Sequence, residues 1–375
     1  MKTKQNSKLL PVDKALLAAV LLIPQLAHAE SAPEKTVISY KYLDYKDWQP
    51  DADRIRVKAH AVSAIVPISE QWSFSGALVT DTVSGASPAY HTQAITPMRD
   101  EREMVDIGIT RYFQNSSLTI NTSYSGEEDY TSRSLSVTGT LQNESRNTTL
   151  TLGAGYTHDS INPSVGDAQG TKNIQDVLIG ITQVITKNDI AQLMLRHSTG
   201  SGYYTDPYKA FDKRPETRNA STVLLRWNHH FDQTDGSARL SYRHYTDTFD
   251  IKAHTLGAEY AQPLNNGWTL TPLVRLHTQS AASFFVEVDP ALQNAGQFTL
   301  PAETAAYYSE DQRLASFGAI TLGLKVAKQI SPDLSVDMKY ESYQQRNSWS
   351  LNGSGSEGLA PFSARSIQLG MTYQF

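Results

Sequence analysis

Ser366-Ile367-Gln368-Leu369-Gly370-Met371-Thr372-Tyr373-Gln374-Phe375 ends the chain, and in it every odd position is apolar or aromatic while every even one is small or polar. Side chains alternate across an extended strand, so one face of this segment suits hydrocarbon and the other water. The pattern recurs upstream. Leu150, Leu152, Ala154 and Tyr156 oppose Thr149, Thr151, Gly153 and Gly155; Leu118, Ile120 and Tyr124 oppose Thr119, Asn121 and Ser123. From Leu334 to Tyr343, Asp337, Lys339 and Glu341 share one side, a row that a dry core would not accept unpaired and a wet interior would.

Counting such segments from Thr36 predicts an all-β fold, a transmembrane antiparallel up-and-down β-barrel of about 16 strands. Its connections alternate in length. Short turns fit at 69–71, 114–116, 143–145, 186–188, 232–236, 265–267 and 331–333, with long polar stretches at 83–100, 159–172, 202–217, 280–312 and 348–363. That asymmetry predicts short periplasmic turns and long extracellular loops. Closure is required because an open edge in lipid leaves backbone groups unsatisfied at several kcal/mol each. Tyr40, Tyr42, Trp72, Phe74, Tyr112, Phe113, Trp227, Tyr242, Tyr260, Trp268, Tyr373 and Phe375 fall near strand ends, where interfacial aromatic belts sit. Leu369, Met371, Tyr373 and the terminal Phe375 resemble the assembly signal by which outer-membrane barrels engage the barrel-assembly machinery.

The other end reads as an export signal. Lys2, Lys4, Lys8 and Lys14 surround an apolar run from Ala15 to Ile23, followed by Pro24 and Ala27-His28-Ala29. That run is far short of the roughly 20 residues a spanning helix needs. Residues 1–29 are therefore expected to be a cleaved signal peptide and 30–375 the barrel domain, placed in the outer membrane. Removing four lysines and Asp13 takes the formal net charge from −5 to −8, which argues against nucleic acid as a partner. The chain has no cysteine, so disulfides and thiolate chemistry are excluded. A mean hydropathy of −0.40 and no apolar run of 18 residues beyond the signal exclude a helical membrane protein.

The chain resembles the DUF3570 family of uncharacterised bacterial proteins over nearly the whole mature sequence. The resemblance rests on Ile38 to Asp47, Asp53-Arg54-Ile55, Asp81 to Pro88 (DTVSGASP, with Ser84), Asp100-Glu101-Arg102, Glu128-Asp129-Tyr130, Gly202 to Lys209, Arg214-Pro215 with Arg218, and Asp311-Gln312-Arg313-Leu314. It implies an outer-membrane barrel and assigns no activity.

Charged strand residues assigned to the face away from lipid give a candidate lumen. They comprise Lys41, Arg54, Arg56, Lys58, His60, Arg196, Arg226, Arg239, Arg243, Arg275, His277 and Lys325, against Asp106, Asp176, Glu259, Asp337 and Glu341, with Asp81 as well. Arginine facing midplane lipid would cost about 2–4 kcal/mol, which favours the inward assignment. Such a wall attracts anions, unless its cations pair with carboxylates and stiffen a plugged barrel. The loop residues Asp81, Ser84, Asp100, Arg102, Asp206, Lys209, Arg214, Arg218, Asp311 and Arg313 either line a ligand site or tie long loops together by salt bridges.

Local catalytic motifs are missing, so no catalytic residue and no cofactor is assigned. His229-His230 and the carboxylates Asp81, Asp100 and Glu101 are too sparse a ligand set to assign a metal. The function expected first is a porin-like channel for small, anionic solutes. The alternative is a non-conducting barrel that serves as scaffold or partner for exported proteins, and a barrel hydrolase ranks third. Expected partners are outer-membrane lipid, the assembly machinery and a small anionic solute.

Overall fold

The computed structural model describes residues 31–50, 52–88, 95–163, 169–209, 211–297 and 299–375, so the expected signal peptide lies outside the described residues. The chain runs through β1 (Val37–Gln49), β2 (Ala52–Ser69), β3 (Trp72–Pro88), β4 (Ile95–Phe113), β5 (Ser116–Gly126), β6 (Tyr130–Gln142), β7 (Thr148–Ile161), β8 (Gly170–Val184), β9 (Asp189–Gly202) and the short β10 (Asp212–Lys213). It continues through β11 (Thr217–Phe231), β12 (Gly236–Asp247), β13 (Lys252–Leu264), β14 (Trp268–Gln279), the short β15 (Tyr308–Ser309), β16 (Phe317–Ser331), β17 (Leu334–Arg346) and β18 (Phe362–Gln374). All except β10 and β15 form one closed antiparallel barrel of 16 strands in which each pairs with its neighbours along the chain. The seam joins β1 to β18, from Val37 opposite Gln374 to Trp48 opposite Ser363. Thr36 and Phe375 extend it by exchanging backbone hydrogen bonds of 2.9 and 3.0 Å.

All seven short turns lie on the rim that holds both ends of the barrel. At one of them Asn266 and Gly267 have φ of 60° and 73°, the left-handed pair that a tight hairpin requires. The opposite rim carries the long connections 203–216, 280–316 and 347–361 and also short ones at 127–129 and 248–251. Two expected loops shrink. The stretch 83–100 is strand up to Pro88 and again from Ile95, and 159–172 reduces to 162–169. Their polarity had a different cause: strands of up to 19 residues outrun the 9–11 that a tilted span needs, so their far ends are wet.

Residues directly opposite on neighbouring strands point the same way, so register sorts every side chain into inward or outward. On β18, Phe362, Ala364, Ser366 and Gln368 line an internal cavity together with Leu43 and Tyr45, while Leu369, Met371, Tyr373 and Phe375 are exposed. The outward set continues around the wall, for instance Leu193 and Leu195 on β9, Leu270, Val274 and Leu276 on β14, and Ile320, Leu322 and Leu324 on β16. Four or five alternate positions at about 3.3 Å per residue, tilted about 40°, give a band roughly 20–25 Å tall. Trp72, Phe113, Trp227, Trp268 and Tyr373 mark its turn-side edge; Tyr124, Tyr156, Tyr242 and Tyr340 mark its loop-side edge. Tyr112 instead points inward and hydrogen-bonds Ser73 at 3.0 Å.

Candidate functional site

The lumen wall is uneven in charge. On β5, β6 and β7 the inward positions between the turn rim and Asp159 are Ser, Thr, Asn, Gln and Gly, joined by contacts such as Ser117 to Thr140 at 2.7 Å and Ser123 to Ser134. Further round the barrel, β9, β11, β12 and β14 turn Arg196, Arg226, Arg239, Arg243 and Arg275 inward, and β1, β16 and β17 add Lys41, Lys325 and Lys339. These eight cations face five inward carboxylates, Asp106, Asp176, Glu259, Asp337 and Glu341. Arg196 pairs with Asp176 at 2.8 Å, Lys325 with Asp337 at 3.4 Å, Arg275 with Glu341 at 3.6 Å and Arg239 with Glu259 at 3.8 Å. Asp106 accepts from the Asn121 amide at 2.8 Å. Among the described residues no carboxylate forms an ion pair with Arg226 or Arg243. Arg226 donates only to Gln192, at 3.2 Å.

Three of the expected lumen residues point elsewhere. Register places Arg56, Lys58 and His60 opposite Lys46, Asp44 and Tyr42 on the outward face, where Arg56 bonds Asp44 and Tyr40 meets His60 Nδ1 at 2.8 Å. They lie beyond the apolar band, near the loop rim, so no hydrocarbon penalty turned them in. Arg54 alone of that run is inward. A bulge sets both Arg54 and Ile55 against the single residue Asp47, Ile55 N–H donates to Asp47 Oδ1 at 2.9 Å, and the extra residue re-aims the guanidinium.

At the loop end of the lumen three inward ion pairs form. Asp81, weighed both for the lumen and for a loop, and Arg102, expected in a loop, are opposite neighbours on β3 and β4 and bond at 2.7 and 2.9 Å. Lys172 meets Asp159 at 3.1 Å, and Arg218 on β11 grips Asp247 at 2.6 and 2.8 Å. Ser84 and Asp100 are paired through their backbones to Arg99 and Val83, and their side chains lie outside the described set.

The other loop residues converge over the mouth. β10 pairs with β15, knitting the 203–216 connection to 280–316. Arg214 forks onto Asp212 at 2.8 to 3.0 Å and onto Asp311 at 2.8 Å; Arg313 bonds Asp311 and reaches Asp206 at 3.0 Å. Lys209 contributes charge near Asp206 and Asp311. Asp212 and Asp311 are 0% and 1% exposed, so these are ties between loops rather than an open ligand site. From this knot, Gln312 accepts from Arg54 at 2.7 and 2.8 Å while Gln279 donates to the Arg313 and Ala315 carbonyls. Residues 312–315 thus run as a chord from β14 to β2 across the mouth. Below them lies a cavity of about 470 Å³ whose walls include Arg275, His277, Glu341, Tyr343 and Gln368. His229, one of the weighed metal ligands, points outward at the turn rim and bonds Asp189 at 2.7 Å.

Burial acts on both carboxyls of the knot. It pushes Asp206 up, with Arg313 offsetting part of the effect; in Asp311 Arg313 and Arg214 more than reverse it and hold the carboxyl well below the usual range. A raised carboxyl favours the folded loops at low pH, and that contribution is lost as pH rises through its folded value. A lowered one contributes above the unfolded value of about 3.9 and fails only as pH falls through its folded value. Acidification should therefore protonate Asp206 first and leave the Asp311 pairs in place. Pepsin should cut the loops only well below pH of about 4. Release near neutral pH would show that Asp311 does not hold the knot.

A family model described as a protein of unknown function (DUF3570) matches residues 89–366. No curated protein matches the sequence. Among solved structures the chain is similar to a bacterial polysaccharide outer membrane secretin, with a TM-score of 0.52 at 8% identity over 90% of this chain and 98% of that one. It is also similar to CdiB from Acinetobacter baumannii (TM-score 0.49, 8% identity, 89% of this chain) and OccD3 from Pseudomonas aeruginosa (0.44, 11%, 93% of each chain). The chain spans 60% of the length of that CdiB chain. At such identities the likeness concerns the outer-membrane barrel fold.

Proposed function

Since the chain belongs to the DUF3570 family, whose description assigns no activity, we propose from its lumen that it is a passive outer-membrane channel for small anionic solutes. The observation that carries this reading is the lumen's unbalanced charge, with Arg226 and Arg243 on β11 and β12 lacking carboxylate partners among the described residues and a neutral hydroxyl wall on β5 to β7. A fixed excess of guanidinium in a narrow wet space raises the local anion concentration and repels cations. Paired charges would only stiffen the wall. Neutral hydroxyls can exchange hydrogen bonds with a passing solute at small net cost.

A second reading, a non-conducting scaffold, draws on the loop chord over the mouth and the buried ions that fasten it. Planar-bilayer recordings separate the two. The channel gives stepwise conductance, and under a potassium chloride gradient its reversal potential lies toward that of chloride. A folded barrel that inserts and passes no current removes the channel reading.

A further inference from the structure

We infer that the outward surface of β6 to β13, at the loop-side edge of the apolar band, binds phosphate groups of outer-leaflet lipid. This holds whether or not the lumen conducts. Arg133 on β6, His158 on β7 and Asn173 on β8 are successive cross-strand partners in one row. His197 on β9 opposes Ser221 on β11, and His244 on β12 opposes His254 on β13 with ring centroids 4.7 Å apart. All lie on the outward face directly above exposed apolar or tyrosine side chains such as Tyr156, Leu195 and Tyr242. That is the depth of lipid headgroups, and the long-loop rim is the outer one.

The imidazoles are aimed. Nδ1 of His158 bonds Asn173 Oδ1 at 2.8 Å, that of His197 the Ser221 hydroxyl at 2.9 Å, and that of His254 the Tyr242 hydroxyl at 2.7 Å. Among the described residues none of their Nε2 atoms has a protein partner. In His197 and His254 a hydroxyl that donates to Nδ1 leaves Nε2–H as a donor even in the neutral ring, whereas His158 donates from Nδ1 to Asn173 and offers Nε2–H when protonated.

Charge is sorted around the barrel as well. On β6 to β13 no outward strand position above the band is Asp or Glu, so no strand carboxylate competes for Arg133 or the imidazoles. On β1 to β4 at the same level Asp44, Glu101 and Glu103 interleave with Arg56 and Lys58, and Arg56 is taken by Asp44. This row of strand positions without acids selects an anionic acceptor, and phosphate accepts strong charge-assisted bonds from guanidinium and imidazole. A second copy of the chain fits less well, because a two-fold contact would set this arc against itself.

The test uses the folded, full barrel in phosphatidylcholine nanodiscs doped with a bis-phosphorylated glucosamine-disaccharide lipid or its phosphate-free form, with retained lipids counted by native mass spectrometry. The wild type should retain the phosphorylated lipid roughly tenfold better, a ratio that one or two charge-assisted bonds supply. The variant carrying Arg133→Gln, His158→Gln, His197→Gln and His254→Gln should lose the preference. Equal retention of both lipids by the wild type overturns the proposal without any variant, as does an unchanged preference in the folded variant or a stable dimer that buries this face.

Discussion

Replacing Arg214 by methionine should free the loops over the mouth while the barrel stays folded. The substitution leaves Asp212 and Asp311, both essentially fully buried, without the guanidinium that bridges them. Removing one partner of a buried pair costs about 3–5 kcal/mol, because the remaining charge must be neutralised or hydrated. Water enters most easily by parting the 203–216 and 280–316 connections, which hold each other through this knot and the two-residue pairing of β10 with β15. The wall's own ladders do not pass through Arg214, so heat-resistant migration of the folded barrel on gels should persist. Limited proteolysis should then cut both connections, and where the protein conducts, its unitary current should rise. Lysine at this position should rescue only in part, since an ammonium cannot fork onto two carboxylates. An unchanged digestion pattern would mean that the apolar contacts of Phe249, Ile251, Ala282 and Leu314 suffice to hold the loops.

Charge neutralisation in the lumen is the second large effect. Arg226→Gln combined with Arg243→Gln removes two arginines of the lumen's middle that have no carboxylate partner among the described residues and leaves six of those eight cations facing five carboxylates. The anion preference should fall close to none, read as a reversal potential moving toward zero under a salt gradient. A paired control, Arg239→Gln with Glu259→Gln, changes no net charge and should keep the preference. The difference between the two variants should shrink as salt rises, because the screening length falls from about 10 Å at 0.1 M to 3 Å at 1 M. If the control loses as much selectivity as the test variant, the excess of unpaired arginine is not what selects.

Much of this molecule is legible in its alternation. Leu369, Met371, Tyr373 and Phe375 lie on the lipid face as the last ten residues predict, and 16 strands close. The rule that strand charges point away from lipid placed Arg196, Arg226, Arg239, Arg243, Arg275 and Lys325 inward, where register also has them. It failed at Arg56, Lys58 and His60 because β2 is 18 residues long and its outer end leaves the hydrocarbon, so an outward charge there costs nothing. Arg54 was unreadable for another reason. Period-two reading puts it with Arg56, and the bulge that separates them has no signature in residue type. Asp206, Arg214, Asp311 and Arg313 were visible as a charged set, but their convergence depends on two connections meeting across the mouth, which spacing along the chain does not encode.

The seam between β1 and β18 has a kinetic consequence. It joins residues more than 300 positions apart, so loop-closure entropy is paid in full before the final ladder returns anything. High contact order slows folding, and until the last segment arrives β1 and β17 each keep an open edge prone to pairing with other chains. The topology therefore requires those two edges to stay shielded until the barrel closes.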